Sequence, residues 1–419
     1  MPERRGGAPR MYCIARRRKT PALASLTVAK NAALLGLSFS TPNRWTAAMA
    51  AENQPELADP DALTDQEVWT PGPTYNEPPK KNRVKWYRCQ VSREELARLN
   101  KRSDFLGFAQ TLGYLGVLGG AAGAAIYSSL HWPWYLTALL VFVNGHFWHF
   151  LINGFHELIH DTVFRTMWLN GFFLRIFSFL GWYNHHHFWA SHTEHHKYTL
   201  HPPDDLEVVL PAKVDTSSVW KWGIVNYKYP YHLLKGKFKT FTGYLNTDDK
   251  WTGMLFPASD PERRRAYTRW ERILLAGHLL IAGVSLGFGL WVVPLVITFP
   301  MIFGAWLQFF CNAAQHIGLQ DKVPDFRLCC RTIYLNPFVQ FLYWHMNYHT
   351  EHHMYAGVPC YKLHRLHQAI KAEMPPCPNG LRETWKHINE IQRRQEREPD
   401  YQYAPVLPAP GTRRGREGR

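Results

Sequence analysis

The residues of this chain best equipped for chemistry are its histidines, 22 in 419 residues, and nine of them fall into ordered groups. His156 and His160 stand four apart. His192, His195 and His196 form His-x-x-His-His, and His349, His352 and His353 repeat that spacing. His316 follows Asn312 by four positions. Residues three and four apart share one face of a helix, so each group aims its imidazoles in a single direction. A tetrahedral zinc takes only about three or four ligands, too few for nine imidazoles. They suit two metal ions with about four or five ligands each. Imidazole accepts zinc, copper, iron or nickel; redox chemistry on a membrane-embedded substrate would select iron.

The elements that must position these groups follow from the charge pattern. Residues 105–156 (52 positions) and 273–320 (48 positions) contain no Asp, Glu, Lys or Arg. A spanning helix needs about 20 apolar residues, so each stretch is long enough to cross a bilayer twice, and a simple soluble fold is excluded. The first block turns near Pro133, between Trp132 and Trp134, in the manner of an aromatic membrane boundary. The second turns near Pro294 or Pro300. Arg98, Lys101 and Arg102 precede the first block, and Arg263, Arg264, Arg265, Arg269 and Arg272 precede the second. Basic residues thus stand at the open ends of both hairpins and never at the tips. The positive-inside rule then sends the tips outward and leaves every histidine group on the cytosolic side. The expected fold is an all-α membrane protein, with about four transmembrane helices in two hairpins and a cytosolic helical cap carrying the histidines. Segment 163–183 is apolar but holds Arg165 and Arg175, and reads as a helix lying in the membrane interface.

Four regions are expected along the chain. Residues 1–50 are a basic extension, read either as a transit peptide or as an over-long gene model with translation starting at Met49. Residues 51–97 are a polar linker, disordered over 51–80, and a pre-membrane segment. Residues 98–375 are the membrane domain, and 376–419 are a C-terminal helix with a basic tail. The net charge of +15 is mostly in the ends: +8 in residues 1–50 and +3 in 412–419. No nucleic-acid motif accompanies them, so they read as suited to an anionic membrane surface. The seven cysteines form no Cys-x-x-Cys pair, and Cys329 and Cys330 are adjacent. A disulfide framework and a cysteine zinc site are both disfavoured, in keeping with a reducing, cytosol-facing location.

Over roughly residues 100–375 the chain resembles the membrane fatty acid desaturase family, which includes related hydroxylases. The three histidine boxes of that family match His156-Glu157-Leu158-Ile159-His160, His192-Thr193-Glu194-His195-His196 and His349-Thr350-Glu351-His352-His353. The text Met354-Tyr355-Ala356-Gly357-Val358-Pro359-Cys360-Tyr361 is similar to the family's continuation of the third box. Asn312 to His316 is similar to its additional Asn-x-x-x-His element. The resemblance implies a non-haem centre of two iron ions held by the nine histidines, with Asn312 contacting metal through water. It also implies dioxygen as co-substrate and a lipid acyl chain or similar aliphatic substrate.

Desaturation and hydroxylation both remain open. Alkane hydroxylases of the wider family carry Asn-Tyr-x-Glu-His-Tyr-Gly where this chain reads Asn312-Ala313-Ala314-Gln315-His316-Ile317-Gly318, which favours a desaturase. The first box also has the three-residue interval of acyl-lipid desaturases. His156 to His160 matches the His-Glu-x-x-His signature of zinc metalloproteases as well. That reading strands the other box histidines and finds no acidic third ligand in residues 273–320. A histidine-rich metal transporter has only His131, His146, His149 and His278 within the crossings, without acidic partners.

Other residues carry weaker expectations. Glu157, Asp161, Glu194 and Glu351 read equally as carboxylates orienting metal-bound imidazoles and as solvated charges. His149 and His345 read more readily as structural than as supports of the centre. His185, His186 and His187 read as interfacial and solvated. Trp182, Trp189 and Trp344 read as packing, with a substrate tunnel as the alternative; His131, His201, His232, His278, His364, His367 and His387 read as ordinary. No nicotinamide, flavin or b-type haem fingerprint is present, so an external ferredoxin or b-type cytochrome with its reductase is expected to supply electrons. Segments 234–239 and 381–397 are cationic enough to dock an acidic donor, although a membrane-facing surface is the readier account.

Overall fold

The structure is a computed structural model, and it describes residues 83–408. The basic extension, the linker as far as residue 82 and the basic tail lie outside the described residues.

Among the described residues the chain is mostly helical and has no β-strand, only isolated bridges such as Thr332 to Tyr348. It begins with α1 (Arg93–Asn100), α2 (Asp104–His131), α3 (Trp134–His149) and α4 (Leu151–Ile159). Then come α5 (Met167–Leu180), α6 (His185–Tyr198), α7 (Thr216–Ile224), α8 (Tyr229–Phe241), α9 (Lys250–Leu255) and α10 (Pro261–Gly287). The last six are α11 (Trp306–Ala313), α12 (Phe326–Cys329), α13 (Pro337–Leu342), α14 (His349–Met354), α15 (Leu363–Ile370) and α16 (Gly380–Gln395).

Three of these runs are long and apolar enough to cross a membrane: α2, the run Trp134–Ile159 that joins α3 to α4, and α10. The start of α2 is set by Ser103, whose hydroxyl accepts from the Leu106 N–H and so satisfies one of the orphan donors of the first turn. Pro133 separates α2 from α3, and across that turn the buried hydroxyls of Ser128 and Thr137 bond at 2.9 Å. Tyr127, Trp132, Trp134 and Tyr135 are exposed around the tip, as aromatics at a membrane boundary would be. Leu112, Leu139, Leu280 and Phe288 are likewise exposed along the long helices.

The second apolar block does not return as one straight helix. After α10 the chain reverses at Gly289, whose φ of +75° is open to glycine. It then makes a π-turn at Pro294–Thr298 and a 3-10 turn at Pro300–Ile302 before α11. Pro294 and Pro300 each lack a backbone donor, and this breaks the ladder. The freed carbonyls are taken up by side chains: Asn144 Nδ2 donates to Val296 O at 3.1 Å, and Trp182 Nε1 donates to Thr298 O at 2.7 Å. Irregular backbone buried in an apolar layer persists only with such partners.

The helix α5, whose 14 residues fall short of a crossing, packs against α4 and contributes Phe173 and Phe177 to the main core. In that core Trp344 is fully buried and packs edge-on against Phe177 and Tyr114. Gly154 of α4 lies directly beneath it: a Cβ there would stand 2.4 Å from Phe177 and 2.5 Å from Trp344. Neither ring has room to withdraw. Gly154→Ala is therefore expected to destabilise the fold by about 1–3 kcal/mol through overpacking, measured as a fall in the melting temperature of the detergent-purified protein; an unchanged melting temperature would contradict this packing.

Candidate metal centre

The first histidine group leaves the apolar layer at the end of α4, with His156 in its last turn and His160 at its C-terminal cap. The second group lies on α6, which starts where the Asn184 side chain accepts from the His186 and His187 N–H groups. The third lies on α14, preceded by a tight turn in which Trp344 and His345 hold φ of +51° and +56°. Such values are uncommon outside glycine, and here the buried Trp344 ring anchors them. His316 follows α11.

These four pieces converge. His156, His160, His192, His196 and His352 place ligand atoms within 4.8 Å of one another. The Nε2 atoms of His156 and His352 are 2.9 Å apart. A second group, His316, His349, His353 and Cys330, meets the same limit. In it His349 Nε2 lies 2.9 Å from His316 Nε2 and 3.1 Å from His353 Nε2. His195 stands beside this second group, its ring 4.9 Å from that of His353 and 5.3 Å from that of His316. The rings of His196 and His353, 4.4 Å apart, join the two groups. Eight of the nine box histidines are buried, and His196 is half-buried.

Four of the outward nitrogens are paired with oxygen, whereas His349 Nδ1 and His352 Nδ1 are buried without a hydrogen-bond partner. His195 Nδ1 meets Asp205 Oδ2 at 2.7 Å, and His192 Nδ1 meets Glu207 Oε1 at 2.9 Å. His316 Nδ1 meets the Cys329 carbonyl at 2.8 Å. The Thr199 hydroxyl donates to His195 O, so its oxygen is free to accept from His353 Nδ1 at 3.2 Å. An imidazole that donates from Nδ1 keeps its Nε2 lone pair for a metal. His349 Nε2 faces two other Nε2 atoms, yet it carries one proton or one lone pair. Three lone pairs directed at a shared cation resolve that conflict, and the buried His160, His192 and His196 Nε2 atoms, which have no hydrogen-bond partner, fit the same account.

Burial also sets the protonation state. It pulls His160 and His316 down to about 3, and with neighbouring imidazoles it holds His192, His196, His349, His352 and His353 well below the usual histidine range. These rings are neutral at pH 7 and their lone pairs are available. His195 differs: burial opposes its charge, but the adjacent Asp205 carboxylate overrides this and pushes it up to about 9.

Of the four carboxylates suggested by adjacency, only Glu157 faces a box imidazole, 3.3 Å from His352 Nδ1. Glu351 is turned away, bonding Thr332 Oγ1 and His367 Nδ1, each at 2.5 Å. Glu194 pairs with Lys197, and Asp161 sits in a left-handed turn after the first box. The carboxylates that do orient box histidines, Asp205 and Glu207, lie ten and fifteen residues beyond their partners. Residues 201–207 bring them back; the acidic run Asp204-Asp205-Leu206-Glu207 after a histidine-rich helix was the available signal. Asn312 Oδ1 accepts from Asn153 Nδ2 at 3.2 Å and from the Tyr343 hydroxyl at 3.1 Å.

Some of the quieter residues differ from expectation and others meet it. His367 is buried between Glu351 and Tyr334, so it is not ordinary. His185 packs on Trp270 and His187 stacks on Phe256, so this triplet is half-buried rather than solvated. Trp182 stacks on His278 at 3.9 Å, and His345 bonds Gln340; both belong to packing. In the basic segment of α8, Lys237 is committed to the Trp182 carbonyl and to Glu271. The pre-membrane segment is part of the site's wall: Trp86 stacks on Phe326 at 4.0 Å, and Phe326 in turn touches His353.

Replacing Asp205 by Asn, or Glu207 by Gln, keeps the shape but weakens the grip on the imidazole. Each is expected to lower metal retention about 10–100-fold, measured as the chelator concentration that strips half of the metal from the purified protein. Retention equal to wild type in both variants would show that these carboxylates do not support the centre.

The comparisons with known proteins come to the same place. No curated protein matches the chain. The sequence model of the family described as fatty acid desaturase matches residues 130–385, which include all three histidine groups and His316. That is more than half of the chain, and its three apolar helices are those of a membrane protein. The chain belongs to the fatty acid desaturase family.

Proposed function

We propose that this chain is a multi-pass, membrane-bound, dioxygen-dependent di-iron desaturase that introduces a double bond into a lipid acyl chain or a similar aliphatic substrate. The observation that carries this reading is the convergence of nine box imidazoles into two adjoining groups at the ends of apolar helices. One iron would be held by His156, His160, His192, His196 and His352. The other would be held by His195, His316, His349 and His353, with Asn312 acting through water. Two ferrous ions would supply oxygen activation and hydrogen abstraction from an unactivated C–H bond.

The protein's own part is positioning and exclusion. Neutral imidazoles would bind without cancelling the metal's charge, and His195, held protonated by Asp205, would exchange its Nε2 proton for the ion. Asp205 and Glu207 hold His195 and His192 in the tautomer that presents Nε2. Phe326 and Phe188 pack against the imidazoles, with Trp86 stacked behind Phe326, and would keep bulk water from the reacting carbon. Electrons would come from an external ferredoxin or b-type cytochrome with its reductase, delivered on the cytosolic side. Lys235 and Lys239 of α8 and Arg393 of α16 are exposed cations that such a donor would meet, whereas Arg394 is paired with Glu398.

Hydroxylation by the same centre is the second reading, because both outcomes share the first abstraction. A zinc metalloprotease built on His156-Glu157-Leu158-Ile159-His160 is a poorer fit. The group around those two histidines contains three further imidazoles and no carboxylate ligand.

The test is mass-spectrometric profiling of lipids and metabolites in cells expressing wild type and His352→Ala with a reductase system. A product two hydrogens lighter than its precursor is expected in wild type and absent in the variant. A product one oxygen heavier would convert the assignment to a hydroxylase. Identical profiles, together with purified protein that takes up no iron, would end the oxidase reading.

A further inference from the structure

We infer that the chain carries a docking site for the phosphate headgroup of an anionic membrane lipid, in a cleft apart from the histidine groups. The cleft measures about 470 Å³ and is lined by Lys101, Arg102, Ser103, Asp104, Arg165 and Lys362. A volume of that order is ordinary for a small-ligand site. Four of the six residues are cations and one is a carboxylate. Asp104 is already occupied: its oxygens accept from the Thr166 N–H at 2.9 Å and from the Thr166 hydroxyl at 2.8 Å. The cations are not matched in that way. Arg102 reaches the Met167 sulfur, and the Lys362 ammonium donates to the carbonyls of Arg98 and Lys101, which orient it without neutralising it. Asp161 is close enough for Arg102 to act on it, which still leaves the cations in excess. Burial, with Arg365 and Lys101 nearby, pulls Lys362 below the usual lysine range.

Three separate stretches bring these cations together. The Tyr361 hydroxyl accepts from the Ser103 N–H at 2.9 Å and donates to the Val163 carbonyl at 3.2 Å. It thereby pins the corner before α2, the loop after α4 and the turn before α15 to one another. Like charges held at fixed positions repel. An anion received among them cancels that repulsion and orders little that is not already ordered. The neighbourhood selects a lipid. Helix α2 is a membrane-length run that starts at Asp104, and the apolar α5 starts at Met167, so the cleft opens where two apolar helices begin. Phe105 and Trp168, 79% and 67% exposed, are the next residues along those helices and form an apolar flank. Cations beside interfacial aromatics are the pattern that meets a headgroup on one side and acyl chains on the other.

Recognition is by charge and by hydrogen bonds from guanidinium and ammonium groups to phosphate oxygens. A zwitterionic lipid carries the same phosphate but brings a cation of its own, which the cleft repels, so a net-negative headgroup is preferred. The site needs no metal and adds no ligand to the histidine groups. It therefore stands or falls apart from the function proposed above.

The experiment uses full-length protein in detergent, delipidated by detergent exchange, and follows its melting temperature as phosphatidylglycerol, phosphatidylcholine or inorganic phosphate is added. Phosphatidylglycerol is expected to raise it by about 2–5 °C at concentrations where the other two do not. Lys101→Gln combined with Arg165→Gln removes two exposed cations of the lining. The pair should raise the half-saturating phosphatidylglycerol concentration about 10–30-fold. Lys235→Gln combined with Lys239→Gln, exposed cations on α8, should leave it unchanged. Arg165→Gln alone, expected to cost about fivefold, serves where the pair does not fold. No response to phosphatidylglycerol in wild type would overturn the inference, as would an equal response to phosphatidylcholine. An equal response to inorganic phosphate would also overturn it, by marking a site for a free anion. A wild-type response in the cleft variants would do the same, and none of these outcomes touches the metal centre.

Discussion

Nine imidazoles can be buried together only if each nitrogen has something to do, and much of this structure follows from that constraint. A polar nitrogen removed from water without a partner costs about 1–3 kcal/mol, and an uncompensated charge costs far more. The chain meets part of that demand by dividing four of the rings, while the Nδ1 atoms of His349 and His352 have no hydrogen-bond partner. Outward Nδ1 atoms are given to Asp205, Glu207, Thr199 and the Cys329 carbonyl, and inward Nε2 atoms are left facing one another. On the proposed reading, cations would satisfy the inward set as a group. Metal binding and folding of this region would then be coupled.

The apolar layer exists to present these rings from one end. Helix α4 is the continuation of a membrane-length run, so His156 and His160 are fixed by the depth at which that run leaves the apolar layer. The broken return after α10 does comparable work for His316. A straight second leg would need no help from neighbours. The broken one is tied by Asn144 and Trp182 to α3 and to the loop before α6. Its irregularity couples the two apolar blocks and sets where α11 begins.

The chemical identity of the site was largely legible in the chain. Histidine spacing on helices is a local property, and the spacing of the groups pointed to the gathering of imidazoles found in the structure. Charge-free stretches likewise announced the apolar helices, because a bilayer tolerates no scattered carboxylates. The second block turns at Gly289, a little before the two prolines expected to mark the turn, and both Pro294 and Pro300 act within the returning leg. Adjacency proved a poor guide to the carboxylates, since Glu194 and Glu351 sit inside boxes and serve other partners. A helix points neighbouring residues about 100° apart, so adjacency alone does not aim a carboxylate at a box imidazole: Glu157 faces His352, but Glu194 and Glu351 point elsewhere.

What the sequence by itself determined is the set of imidazoles, their grouping by helical face and the apolar runs that carry them, all consequences of period and composition. Only the tertiary structure decided how those groups divide into two positions, which carboxylates hold them, and that Cys330 stands beside the second. Each of those depends on contacts between segments separated by ten to two hundred residues, as with the 2.9 Å approach of His156 to His352. No local pattern encodes the distance between residues that meet only after the chain has packed.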